Sequence, residues 1–157
     1  MILLETSTGL TDFLLIAKKK AYAGNGKYEL LEDGSKEFTY EEGDFYFSDN
    51  YFGDNPFSGS EFVWQQDNVL WTMNYFGRIL SPDMPKDKIY GFLKKALLKA
   101  NHANPFRGPP MMEEDDLHYF NLAQGDLSSF DGLEIITCKG IELYKLRYHG
   151  GSLAQNE

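Results

Sequence analysis

The stretch Trp71-Thr-Met-Asn-Tyr-Phe-Gly-Arg-Ile-Leu80 decides how this chain is read. With Val69 just before it, alternate positions carry Val69, Trp71, Met73, Tyr75 and Ile79, a large apolar face at a period of two residues. That is the pattern of a half-buried β-strand. The opposite face carries Leu70, Thr72, Asn74, Phe76 and Arg78. An amide and a guanidinium among apolar neighbours mark Asn74 and Arg78 as candidate binding groups.

The preceding segments share this character. Lys36–Glu41, Asp44–Tyr51, Gly59–Gln65 and Asn68–Leu80 are predicted strands. The turn signals Glu42-Gly43 and Gln66-Asp67 and the Gly- and Pro-containing loop Phe52–Gly59 separate them. Links this short imply antiparallel pairing, because a parallel pair needs a long crossover. Leu117–Ala123, Leu133–Cys138 and Ile141–His149 return to strand, with Lys139-Gly140 as a hairpin turn. Two helices complete the set. One starts near Thr8 or Thr11, presents Leu10, Phe13, Leu14, Ala17 and Ala21 on one face, and stops at Gly24-Asn-Gly26. The other carries the stripe Ile89, Phe92, Leu93, Ala96, Leu97 and Ala100 behind Pro82 and Pro85. Tyr28–Gly34 reads as an irregular connection or short edge strand, and Met111–Asp116 as a solvated acidic loop. The predicted fold class is α+β: a curved antiparallel β-sheet with two main α-helices, the second packed across a sheet face. Residues 1–157 read as one domain, with the tail after about residue 151 frayed.

Composition narrows the function. The net charge of -9 disfavours direct binding to nucleic acid or to an anionic membrane. The one basic run, Lys18-Lys-Lys20, falls where cations oppose the negative pole of a helix. A single cysteine, Cys138, excludes an internal disulfide and suits a reducing cytoplasm. Glu5 and the short apolar run Phe13–Ala17 fit neither a signal peptide nor a membrane span. The 12 Phe, 10 Tyr and 2 Trp exceed ordinary usage, and aromatic packing across a half-exposed sheet accounts for most of them.

No phosphate loop, dinucleotide fingerprint or nucleophile elbow is present. Glu113-Glu-Asp-Asp116 followed by His118 has metal-ligand chemistry but the sequence of a solvated loop; no metal and no cofactor is expected. His102, at a helix end, suits a bond to a free carbonyl. His149 closes the last strand beside Gly150-Gly151, where absent side chains leave room for a ligand. Lys145, Arg147 and His149 share one face of that strand. Arg107 stands in the stiff segment Asn104–Pro110, pre-organised for a carboxylate or phosphate, or for one of the chain's own acids. Asp44, Asp49 and Glu61 are carboxylates in the aromatic-rich strands. One of them beside Arg78 or His149 would support acid–base work.

Six segments resemble a bacterial family of domains of unknown function, found alone or behind an Xre-type helix-turn-helix. They are Ala17-Lys-Lys-Lys-Ala-Tyr-Ala-Gly-Asn-Gly26, Tyr40-Glu-Glu-Gly-Asp44, Phe57-Ser-Gly-Ser-Glu-Phe-Val-Trp64, Trp71-Thr-Met-Asn-Tyr-Phe-Gly-Arg78, Phe106-Arg-Gly-Pro109 and Leu146-Arg-Tyr-His-Gly-Gly151. The resemblance implies no reaction. No helix-turn-helix is expected before the first helix, so a regulatory role implied by fused relatives would act through a partner protein. The reading that results is a small-molecule-binding or sensor module with a polar or anionic ligand at Asn74, Arg78, Arg107 and His149. The alternatives are a small enzyme using His149 with a nearby carboxylate, and a protein-interaction module that pairs with itself or a regulator.

Overall fold

The computed structural model describes residues 2–22 and 27–153, with side chains from residue 9 onward. Helix α1 spans Ile2–Tyr22 and helix α2 spans Lys86–Leu97. The strands are β1 (Glu29–Leu30), β2 (Lys36–Glu42), β3 (Phe45–Gly53), β4 (Phe57–Gln65), β5 (Asn68–Ile79), β6 (Met111–Glu114), β7 (Leu117–Asp126), β8 (Ser129–Cys138) and β9 (Ile141–Ser152). All nine form one antiparallel sheet in the order β1-β2-β3-β4-β5-β9-β8-β7-β6. The sheet curls without closing into a barrel, so the α+β expectation holds.

Period-two alternation builds the core. Trp71, Met73 and Tyr75 of β5, Tyr144, Leu146 and Tyr148 of β9, and Tyr119 and Ile136 of β7 and β8 are buried on one sheet face. The helices cover that face. Leu10, Phe13, Leu14, Ala17 and Ala21 of α1 are buried, as are Ile89, Phe92, Leu93, Ala96 and Leu97 of α2. Burial of apolar area at roughly 25 cal/mol per Å² is what holds these layers together.

Several boundaries differ from the sequence reading. Helix α1 begins by Ile2, so Thr8 and Thr11 lie inside it rather than at its start. The stop at Gly24–Gly26 lies outside the described residues. Met111–Glu114 is not a free loop. It is edge strand β6, paired residue for residue with Glu114–Leu117 through Met111–Phe120 of β7. Lys95 of α2 ties it down, at 2.7 and 3.0 Å from the two Glu114 carboxylate oxygens. Local charge density argued for solvent here. Register with a strong neighbouring strand outweighed it. The loop expected over Phe52–Gly59 shrinks to Asp54–Pro56, because β3 and β4 pair as far as Gly53 and Phe57. The last strand runs to Ser152, and the frayed tail expected beyond it lies largely outside the described residues.

The segment between α2 and β6 enters the core. Phe106 stacks on Phe130 with ring centroids 4.2 Å apart. Gly108 follows under Tyr119: its N–H donates to the Tyr119 hydroxyl at 3.0 Å, and a Cβ there would meet the ring. Only glycine permits this approach.

Candidate functional site

Strand alternation places three acids where apolar side chains are expected. Asp49 shares its face with Phe47, Glu61 with Val63, and Glu134 with Ile136, and all three acids are buried. An isolated buried charge is costly, so each acid needs a compensating group.

Glu134 has the most complete set. Arg107 donates from Nε and Nη2 to its two oxygens at 3.1 and 2.9 Å, a bidentate pair. Tyr119 and Tyr144 add hydroxyl donors at 2.5 and 2.9 Å. Burial works against the Arg107 charge, but Glu134 together with Tyr22 and Tyr144 outweighs it and holds the guanidinium well above its ordinary pKa. Glu61 is met by Lys18 of α1, whose Nζ lies 3.1 Å from Oε1. The same ammonium donates to the carbonyl of Phe106 and sits 5.7 Å from the centroid of Trp71. Burial pushes Lys18 below its ordinary pKa, and the charge of Glu61 opposes that shift. The approach is an ion pair without hydrogen-bond alignment: neither oxygen of Glu61 accepts a hydrogen bond among the described residues.

Asp49 differs from both. It lies directly across from Glu61 in the β3–β4 ladder, and like charges in that position repel. Its partners are phenols: Tyr75 donates to Oδ1 at 2.6 Å and Tyr28 to Oδ2 at 2.9 Å. Burial and the charge of Glu61 raise its pKa to about 7, and the two tyrosines and Arg107 only partly offset this.

Asp49 lines a cavity of about 270 Å³ between the sheet and the two helices. Tyr75, Tyr28 and Arg107 flank it at depth, and Arg107 lies 5.7 Å from the Tyr75 ring centroid. Ala21 and Tyr22 of α1 and Leu93 and Leu97 of α2 close the helical side. Tyr51, Phe57, Tyr90, Asp54 and Lys94 also line it, and the last two are exposed. Tyr90 is fixed by donation to the Asp54 carbonyl at 2.6 Å.

The sequence-named residues divide between the two sheet faces. Asn74 and His149 are direct partners in the β5–β9 ladder, and Arg78 lies across from Lys145 four residues along. The three therefore share a face, as expected. It is the face away from the helices: Arg78 and His149 are exposed, and Asn74 accepts a 2.7 Å hydrogen bond from Ser60. Arg107 does not join them. It is buried on the helix-covered face, beside Tyr75, because Glu134 supplies the anion it needs there. Asp49 and Glu61 also face the helices, away from Arg78 and His149. The acid that does face His149 is Asp131, its register partner on β8. Lys18 does not simply cap a helix dipole; it is buried on Glu61. His102 bonds Asp12 of α1 at 2.6 Å, not a carbonyl. The acidic run makes surface pairs, His118 with Glu113 at 3.6 Å and Asp116 with Lys139 at 3.9 Å. No group of three metal-ligating side chains converges among the described residues. No helix among them is long and apolar enough to cross a membrane.

The sequence profile of the DUF5680 family, a domain of unknown function, matches residues 49–153. That is about two thirds of the chain, and the chain belongs to this family. No curated protein and no solved structure matches it.

Proposed function

We propose that this DUF5680 domain binds a small polar molecule in the cavity under its helices, as a sensor or carrier. The observation that carries the reading is a buried acid, Asp49, held by two tyrosines at the wall of a cavity that reaches solvent beside α2. Buried polar clusters are expensive unless every member is satisfied. One kept at a cavity wall is most simply explained by the molecule it recognises. Arg107 is the residue of the sequence-derived set that the proposal retains as ligand-facing. Asn74, Arg78 and His149 form a separate polar strip on the outer face. On the strength of the single cysteine and the motif resemblance, the proposal places the domain in a bacterial cytoplasm, working alone or beside a regulator.

A mixture of small aromatic alcohols, amides and amines, followed by amide NMR, tests it. Shifts should cluster around Ala21, Tyr75 and Leu97. Leu97→Trp, which fills the cavity, should abolish them while the thermal transition persists. Shifts confined to Asn74 and His149, or none at all, refute the reading. One observation favours a second reading. A carboxyl with its pKa near 7 is matched to proton transfer at neutral pH, so Asp49 also suits the general base of a small enzyme.

A further inference from the structure

The chemistry of the cavity wall goes further than its volume, and the argument rests on the binding role just proposed. Six aromatic rings line the space: Tyr22, Tyr28, Tyr51, Phe57, Tyr75 and Tyr90. They stand at steep angles to one another. Phe57 and Tyr90 are 6.0 Å apart at 83°, Phe57 and Tyr75 6.0 Å apart at 60°, and Tyr28 and Tyr51 5.4 Å apart at 73°. A wall this rich in rings has the composition that recognises alkylammonium groups, because a ring face attracts a cation within about 6 Å of its centroid. Two of these rings already lie against a cation of the chain: the buried Arg107 is 5.7 Å from the Tyr75 centroid and the exposed Lys36 5.8 Å from that of Tyr51.

The charge balance points the same way. Arg107 lines the cavity, but Glu134 holds it through two bonds. Lys18 is committed to Glu61, and Asp54 to Lys86. Asp49 has no cation at ion-pair distance among the described residues and is held by phenols alone. Lys94 is exposed, where a long side chain keeps its ammonium in water. The deep wall thus offers one uncompensated acid and a set of ring faces. The chain's net charge of -9 also draws cations toward it.

We infer that the ligand of this cavity is a small organic cation, an amine or alkylammonium on a compact apolar body, with its nitrogen toward Asp49 and its substituents against the aromatic rings. An N–H-bearing cation hydrogen-bonds the carboxylate; a quaternary one relies on the field of Asp49 and the ring faces.

Three probes of similar shape and different charge decide the matter: benzyltrimethylammonium, benzyl alcohol and benzoate. Each is titrated at pH 8 against the full chain, with calorimetry for affinity and amide NMR for location. The cation should bind at least tenfold tighter than the other two, with shifts around Tyr75 and Ala21. Asp49→Asn should weaken the cation tenfold or more and benzyl alcohol by a much smaller factor. Should Asp49→Asn fail to fold, Tyr90→Leu provides the second measure. It keeps an apolar wall at the mouth, removes a ring face, and should weaken the cation severalfold and the alcohol by a clearly smaller factor. Benzyl alcohol or benzoate binding in the cavity as tightly as the cation overturns the inference and leaves the binding role standing. Absence of all three from the cavity overturns both.

Discussion

Asp49 gives the domain a pH-dependent stability of unusual sign. In the unfolded chain its carboxyl ionises at its ordinary value of 3.8; in the fold it does so at about 7. Between those values the native state holds a proton that the unfolded state has released. Stability therefore falls as pH rises through this window and levels off above the folded value. A shift of about 3 units at about 1.4 kcal/mol each amounts to roughly 4 kcal/mol lost between pH 4 and 8. Most surface acids change stability the opposite way. Asp33 and Asp126, held down by hydrogen bonds from Ser35 and Ser128, are of that kind. The comparison with Asp49→Asn separates the two. An amide cannot ionise, and its orientation penalty does not vary with pH: one of Tyr28 and Tyr75 must turn its hydroxyl to accept from the new N–H. Glu61, Lys18, Arg107 and Tyr22, the other titratable groups around the site, remain in both proteins. Urea denaturation of both from pH 4.5 to 8.5 is the assay. The wild type should lose stability relative to the variant at up to about 1.4 kcal/mol per pH unit below 7, with little further change above. Parallel profiles, or a wild type that gains on the variant as pH rises, refute the argument that burial against Glu61 keeps Asp49 protonated.

Two further outcomes follow from the packing. Lys18→Met leaves Glu61 buried without a counter-charge and should cost about 3–5 kcal/mol in chemical denaturation, whereas Lys18→Met with Glu61→Leu should recover most of that loss. Gly132→Ala drives a Cβ into the ring of Tyr148, a buried residue whose hydroxyl is committed to Asn121 at 2.7 Å, and should cost about 1–3 kcal/mol in the same measurement.

The fold was legible because its strands alternate strongly and its links are short. Val69 to Ile79 predicts both the strand and its buried face, and the stripe from Ile89 to Leu97 predicts α2. The site was legible only as a set of exceptions. Asp49 two residues after Phe47, Glu61 two before Val63 and Glu134 two before Ile136 are acids in apolar phase. Lys18 lies four residues after Leu14, in line with a helical apolar stripe. Those phases were readable. What they could not supply was pairing across long separations: Arg107 with Glu134 is 27 residues apart and Lys18 with Glu61 farther still. The outer strip of Asn74, Arg78 and His149 was readable because a single ladder aligns it. Its apparent link to Arg107 failed because sequence does not reveal which sheet face a Pro-rich connector crosses.

Seven of the eight ladders in the sheet join strands that are neighbours in sequence; the exception is β5 with β9. The chain is thus two runs of hairpins, β1 to β5 and β6 to β9, each able to zip locally, and one joint between them. Closing that joint spans about 60 residues, which by loop-closure scaling carries roughly 2 kcal/mol more entropic penalty than closing a four-residue turn. Local pairings precede such a contact in time. Asp49 and Tyr75 come from the first run, Glu134 from the second, and Arg107 from the connector between them. Asp49 meets Tyr28 and Tyr75 within the first run, but Arg107 is fixed at the cavity wall only when Glu134 of the second run is in place, so the cationic part of the wall is a late product of folding.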